Sequence, residues 1–466
     1  MNEKSFRFEA DADLLASADV VVCGGGTSGV FAAVAAAREG KSTVLIERFG
    51  ALGGTPVQGL VLPTMSTKVK QNGVLRDPQN SYLSAELDLL CEEAGIGFRR
   101  GSQRYFDPLL LGVLLEKMAA EAGVKVLLYT SLLSVIREND RVSAVIVSDK
   151  EGIHAVEGKV FVDATGDGDL SVIAGADYSS GDPRTGKNQP MSLRYLVGGV
   201  DIPAFASAVS DGSIRLFPDG GCYASCVKQD GTNGVERILS AAREAGDLKK
   251  EDLAYWQIFS LPNRKGTIAC NCPEFFERID GTKAADLTNA QLEGKRAVMR
   301  QLAFYKKYFR GFENAYVSDI AAMVGVRESR EIVTDYVLTL SDVASYHKFE
   351  DAVAQSNYSV DVHGFGDAYS DRPATLAASE QPWFEIPYRS LTVRGIDNLL
   401  VAGRAIGCDF FAEAAARIIP TCRATGEAAG IAAAVASERG IPVRSVNGSE
   451  VRKKMIALGA DFLESM

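Results

Sequence analysis

The chain has 466 residues, enough for two or three cores rather than one. Its formal net charge of −10 argues against a protein that grips nucleic-acid phosphates irrespective of base sequence, since that task needs a basic surface. No run of about 18 apolar residues predicts a membrane span. The first residues lack the basic-then-apolar pattern of a secretion signal. Eight cysteines are too sparse for a disulfide scaffold, so a reducing cytoplasm is the expected location.

Residues 1–18 read as a charged lead-in that docks on the body, and residues 19–23 as the first strand. The apolar run Val20-Val21-Val22-Cys23 meets Gly24-Gly25-Gly26-Thr27-Ser28-Gly29. An alanine-rich helical stretch follows and ends before Gly40. Gly24, Gly26 and Gly29 fit G-x-G-x-x-G, and the context gives that pattern its meaning. A strand precedes it, a helix follows it, and Glu47 closes the next apolar run, Thr43–Ile46, where a ribose hydroxyl partner belongs. Gly24 permits the tight turn, Gly26 lets backbone approach a pyrophosphate, and Gly29 lets helix and strand pack closely. The free N–H groups and positive dipole end of the helix face the diphosphate.

A second glycine loop, Phe49 to Pro56, lies just beyond the ribose position. Residues 60–80 read as polar and irregular, and residues 81–94 as a helix ending at Gly95. Residues 106–122 predict a helix with Asp107 as N-cap and Pro108 at its first position. Residues 124–129 are a strand of the parallel sheet. Three short alternating runs, 132–137, 141–147 and 152–158, predict an antiparallel meander inserted in that sheet. The run Val160 to Asp163 is a further strand that ends in Ala164-Thr165-Gly166. Asp167 and Asp169 lack the remaining ligands of a calcium loop, so no metal is expected there.

Residues 180–380 have a different texture and read as a second, α+β domain lying over the cofactor. Helices are expected at 287–308 and 320–324. The parallel pattern returns with Leu399-Leu400-Val401-Ala402-Gly403-Arg404 and a small-residue helix from Pro420. The expected architecture is α/β. A discontinuous dinucleotide-binding Rossmann-like domain (1–179 and 381–440) carries a parallel sheet with the meander. The inserted substrate domain (180–380) and a helical tail (441–466) complete it.

These features decide between NAD and FAD. The glycine loop with Glu47, the meander, the Ala164-Thr165-Gly166 strand end and the late strand with its Thr/Gly/Ala helix resemble the FAD-dependent oxidoreductases of the glutathione-reductase-like superfamily. More narrowly, the chain resembles the bacterial family called FAD-dependent oxidoreductase. Asp280-Gly281-Thr282, the 325–330 and 360–363 segments and residues 386–391 extend the match over nearly the whole chain.

The resemblance implies roles by position. Gly24, Gly26, Thr27, Ser28 and Gly29 would hold the pyrophosphate, and Glu47 the ribose, with Arg48 nearby. Gly53, Gly54 and Thr55 would line the diphosphate and approach the isoalloxazine. Val126 would offer its backbone to adenine. Ala164, Thr165 and Gly166 would pack near the adenine half, and Gly403, Arg404, Ile419 and Thr421 by the ribityl chain and flavin.

Hydride exchange with a flavin needs a proton acceptor and often a cation for the substrate's charged group. Of three histidines, His154 and His347 read as surface residues. His363, where an alternating run breaks into glycines, is the candidate base. Arg327 and Arg330, three apart on an expected helix, and Arg389 are the candidate cations. Cys222, Cys226, Cys270 and Cys272 together number enough thiolates for a zinc or iron–sulfur site, but neither spacing is C-x-x-C and no metal is expected. No second G-x-G-x-x-G and no redox cysteine pair follow, which disfavours a pyridine-nucleotide disulfide reductase.

The expected function is an FAD-dependent oxidoreductase acting on a small hydroxy acid or sugar-like compound. The electron acceptor is open, no nucleic-acid partner is expected, and a homo-oligomer is possible. Two other readings stay open: a flavin-dependent hydratase or isomerase, and a non-catalytic module that binds FAD or ADP.

Overall fold

The structure, a computed structural model, describes residues 6–65, 67–71, 74–100, 103–209, 211–226, 233–261, 263–275, 280–363 and 382–464. Among them, no helix is long and apolar enough to cross a membrane.

The first layer is a mixed sheet. Strand Asp13–Cys23 lies at its centre, parallel to Thr43–Ile46 on one side and to Ile153–Asp163 on the other. Lys125–Leu127 and Leu399–Val401 extend the parallel part outward. The register places Cys23 beside Ile46 and Asp163, and Asp163 beside Val401, so these carboxyl ends share one edge. That edge is where ligands bind in open α/β sheets.

The first strand begins at Asp13, not at 19: the lead-in pairs with residues 154–158 and extends the sheet. The meander is present, as Ser131–Glu138 and Arg141–Ser148, but its third run does not stop at Gly158. Ile153–Asp163 is one strand, antiparallel to Arg141–Ser148 in its first half and bonded to Leu399–Val401 at its end. A Cβ on Gly158 would lie 2.9 Å from the Phe161 ring, so the glycine makes room for that buried aromatic instead of ending the strand.

Helix Thr27–Arg38 leaves the first strand, and helix Ile419–Arg439 packs directly against it. Both faces are alanine and glycine. A Cβ on Gly426 would lie 2.2 Å from the Ser28 carbonyl oxygen, and one on Gly430 2.2 Å from that of Ala32. The helices therefore touch through backbone, as the small residues suggest. Helix Pro108–Glu121 has the expected cap, with Asp107 accepting from the N–H groups of Leu109 and Leu110.

The second layer is a six-stranded antiparallel sheet between residues 195 and 320. Its order is Ile214–Leu216, Cys222–Ser225, Gln257–Ser260, Ile268–Cys270, Tyr195–Gly198, Tyr316–Ile320. One face packs on helix Ala284–Tyr308 around Trp256, Phe304 and Tyr305, and the other faces the carboxyl edge of the first sheet. The expected helix at 320–324 is absent: Tyr316–Ile320 is an edge strand, and the chain continues without regular structure to 330. Residues 338–362 contribute Leu338, Val343, Phe349 and Val353 to the core that also holds helix Thr27–Arg38. The tail folds as helix Gly448–Leu458 against helix Ile419–Arg439.

Two predictions follow from this packing. Gly426→Ala drives a methyl into the Ser28 backbone, and thermal or chemical unfolding should show a loss of about 1–3 kcal/mol. Glu427, buried in the same helix, accepts from the Ser81 hydroxyl and the Leu83 N–H at the start of helix Tyr82–Glu93. Burial pushes its carboxyl from 4.5 up to about 7. The native state thus binds a proton that the unfolded chain releases. That contribution is full below pH 4.5 and is lost as pH rises through 7, a change on the order of 3 kcal/mol. Glu427→Gln should flatten the stability slope across that window.

Candidate active site

The two layers enclose a cavity of about 810 Å³ at the carboxyl edge of the parallel sheet. Gly24, Gly26, Thr27, Ser28, Glu47, Arg48, Gly54, Thr55, Ala164, Thr165, Gly166, Gly403, Arg404 and Ile419 line it. His363 and Arg327 line the same cavity. Sequence positions nearly 400 residues apart therefore meet.

The glycine loop has the expected geometry. Gly24 sits at φ +97°, and a Cβ there would lie 2.3 Å from the Ala164 carbonyl oxygen. A Cβ on Gly29 would lie 1.7 Å from the Gly24 carbonyl oxygen, so Gly29 serves packing and does not line the cavity. A Cβ on Gly26 would meet nothing nearer than Gly54 Cα at 3.8 Å, which leaves its face open to a ligand. Glu47 is buried; its carboxylate accepts from Gly25 N–H at 2.6 Å and Phe49 N–H at 2.8 Å. Burial raises its pKa although those N–H groups oppose the shift. The start of helix Ile419–Arg439 reaches the same cavity through Ile418, Ile419 and Cys422.

Several candidates hold the walls together. Gly53 donates its N–H to the Gly25 carbonyl at 2.8 Å and joins the two glycine loops. Thr165 donates its hydroxyl to Asp163 at 2.7 Å. Arg404 bonds the Gly166 carbonyl at 2.9 Å, Asp167 at 2.6 Å and the Val326 carbonyl. Val126 and Thr421 lie outside the lining; Val126 pairs with Leu45 in the sheet, and the Thr421 hydroxyl is buried and, among the described residues, without a partner.

The cations are placed differently from expectation. Arg327 and Arg330 do not share a helix face, because residues 325–330 form no helix. Arg327 is buried, bonded to the Glu274 carboxylate and to the Pro190 carbonyl at 2.5 Å. Arg330 turns away to Asp169 at 2.9 Å and the Asp167 carbonyl at 3.2 Å. Arg389 lies outside the cavity on an exposed turn, paired with Asp351 at 2.9 Å. These arginines are already neutralised by neighbours.

His363 is buried between two carboxylates. Nδ1 lies 3.0 Å from Glu274 Oε1, and Nε2 lies 3.2 Å from Asp361 Oδ2. The Tyr255 ring stands 4.3 Å from the imidazole, on a residue with φ +54°. Burial is the largest influence on Glu274 and Asp361 and pushes both up. His363 and the neighbouring arginines outweigh it and hold both carboxyls below their ordinary values. Burial pushes the Tyr255 phenol up to about 12, so it stays neutral. Sequence reasoning missed Asp361, Glu274 and Arg417, whose Nη2 lies 3.8 Å from Asp361 Oδ2; only Asp361, two residues before His363, carried a local signal.

His154 lies in the meander, 3.3 Å from Asp149, and His347 is exposed against Phe349. Cys222, Cys226, Cys270 and Cys272 all belong to the apolar core between the antiparallel sheet and helix Ala284–Tyr308. Among the described residues no cluster of His, Cys, Asp or Glu could hold a metal.

A parallel sheet with a glycine turn, an acidic residue at the end of the next strand and a dinucleotide-sized cavity defines an α/β dinucleotide-binding protein. Residues 19–455 match the family described as FAD dependent oxidoreductase, and the chain belongs to that family. A thiamine thiazole synthase from Methanococcus vannielii is 30% identical over 180 residues, covering 36% of this chain and 62% of that protein. The chain thus matches less than two thirds of that relative's length. Among solved structures, a geranylgeranyl bacteriochlorophyll reductase-like protein from Thermoplasma acidophilum is similar with a TM-score of 0.46 and 14% identity, over 96% of this chain and 84% of that one. The p-nitrophenol 4-monooxygenase PnpA from Pseudomonas putida DLL-E4 aligns with a TM-score of 0.43 and 10% identity, over 96% and 87%.

Glu47→Ala strips the acceptor from two backbone N–H groups and from the expected ribose contact. Fluorescence titration of the deflavinated protein should show FAD affinity falling about tenfold or more. Unchanged affinity would restrict Glu47 to shaping the loop.

Proposed function

We propose that the protein exchanges a hydride between FAD and a small polar substrate, a hydroxy acid or sugar-like compound, with His363 as the proton acceptor. One observation carries this reading: His363 and Asp361 stand in the wall of the same cavity that the glycine loop opens into. The open face of Gly26 and the two helix starts fit a diphosphate. Gly24, Gly26, Thr27, Glu47, Gly54 and Thr55 would hold the dinucleotide on one side, and Gly403, Arg404 and Ile419 on the other. FAD bound there supplies hydride exchange at its N5.

The side chains account for the proton. Glu274 at Nδ1 keeps a proton on that nitrogen and orients the ring, which leaves Nε2 to accept from a substrate hydroxyl. The hydroxyl enters where Asp361 now meets Nε2. Asp361 keeps its charge against Arg417, whose Nη2 lies 3.8 Å away, and stabilises the imidazolium that forms. A ring that donates to both carboxylates carries two protons and serves the reverse direction, giving one to a carbonyl as it is reduced. The parallel layer (1–179 and 381–440) is the cofactor side and the 180–380 segment the substrate side. The meander and the late strand support a place among the glutathione-reductase-like flavoproteins.

The test is anaerobic bleaching of the bound flavin by a panel of hydroxy acids and sugars. His363→Gln should slow bleaching by about 10²- to 10⁴-fold while FAD stays bound. A wild-type rate in that variant would move the proton transfer to another group. Turnover without bleaching would favour the hydratase or isomerase reading.

A further inference from the structure

The antiparallel sheet shows a polar row to the cavity. Tyr195 pairs with Cys270, so Arg194 stands opposite Asn271 one step along; Ile258 also pairs with Cys270, so Gln257 flanks Asn271 on its other side. Arg194, Asn271, Gln257 and Tyr223 all line the cavity, whereas the alternate residues Tyr195, Cys270 and Ile258 point into the apolar core behind. Asn271 Nδ2 donates to Gln257 Oε1 at 3.0 Å, and Gln257 Nε2 donates to the Tyr223 hydroxyl at 2.9 Å. The chain of bonds fixes both amides and ends at Asn271 Oδ1, which is buried and, among the described residues, has no partner.

Arg194 is incomplete in a complementary way. Arg327, Arg404 and Arg417, which line the same cavity, each meet a carboxylate. Among the described residues Arg194 meets none; Nη1 donates to the Leu62 carbonyl at 3.2 Å, and Nε is buried without a partner. Burial, with Arg327 close by, pulls its guanidinium from 12.5 down to about 9, so it is still a cation at neutral pH. A half-buried cation beside another cation is stabilised by an anion. A buried amide oxygen is stabilised by an O–H or N–H donor. Side chains directly opposite on neighbouring strands start about 5 Å apart, so one small molecule spans both.

We propose that Arg194 and Asn271 form the substrate-recognition subsite of this cavity. Arg194 takes a carboxylate, and Asn271 Oδ1 takes the hydroxyl or amino group on the carbon next to it. The substrate class is therefore a small α-hydroxy or α-amino carboxylate and not a neutral sugar. This rests on the reading above that the antiparallel layer is the substrate side.

The experiment is titration calorimetry of the FAD-loaded protein with lactate, glycerate, alanine, propionate and the neutral propane-1,2-diol. Lactate, glycerate or alanine should bind at least tenfold tighter than the diol, and tighter than propionate, which lacks the donor. Arg194→Gln should weaken carboxylate binding about tenfold or more without changing FAD affinity, and Arg194→Lys should restore part of it. Asn271→Leu should erase the preference for lactate over propionate. Equal binding of acid and diol, no binding of any acid, or wild-type carboxylate affinity in Arg194→Gln each overturn the proposal. Arginine-dependent binding without flavin bleaching leaves the subsite standing and removes the hydride reading. Bleaching by a neutral sugar with no carboxylate binding does the reverse.

Discussion

The site depends on how closely two helices approach. Thr27–Arg38 begins at the glycine loop, and Ile419–Arg439 begins in the wall of the same cavity. Their contact runs through Gly426 and Gly430, whose missing side chains leave room for the Ser28 and Ala32 carbonyls. Gly403, at φ +86°, lies where a Cβ would come within 2.5 Å of Ser28 Oγ. Each larger residue would push one wall of the cavity outward. The two helix starts reach one cavity because nothing bulky separates the backbones behind them. The glycines that shape this cleft are thus divided between those facing the ligand space, as at Gly26, and those that let the scaffold close, as at Gly29 and Gly426.

Charge organises the wall around His363. Glu274 lies between Arg327 and His363, and Asp361 lies between His363 and Arg417. The order arginine, glutamate, histidine, aspartate, arginine neutralises each buried group by its neighbours. Removing one member of such a series leaves an uncompensated charge, which costs more than the pair itself contributes. A second latch holds the two layers in register: Asp167 takes Arg404 and Ser329, and Arg330 bonds the Asp167 carbonyl. Asp167 and Asp169 therefore tie the strand end of the parallel sheet to the loop that carries Arg327.

What could be read from the chain was what local backbone geometry demands. The turn at Gly24, the cap at Asp107 with Pro108, and Glu47 at a strand end each announce themselves within a few residues. The segment 325–330 did not. Its charges resemble a helix face, yet Glu328 accepts from the N–H groups of Gly181 and Gln189 while Ser329 and Arg330 reach Asp167, so bonds to distant residues override helical spacing. Arg194 gave no signal because a lone arginine before an apolar strand has no period to betray it. Asn271 sat between two cysteines that drew attention to metal chemistry, while strand alternation turned Cys270 into the core and Asn271 to the cavity.

The position of His363 shows why a site of this kind resists reading in one dimension. Residues 357–363 form no helix or strand, so secondary structure does not hold the ring. Gln189, wholly buried, does part of it: its Oε1 accepts from His363 N–H at 3.3 Å, its Nε2 donates to Glu413 at 3.3 Å, and its own N–H donates to Glu328 at 3.0 Å. Burial raises the carboxyls of Glu328, Glu331 and Glu413 above their ordinary values, which favours their neutral form and lets three acids share one dry region. Such a network specifies position at a cost in stability, because each polar group had a partner in water. The alanine and valine core around the paired helices offsets that cost, and in this way the apolar half of the molecule makes the polar half affordable.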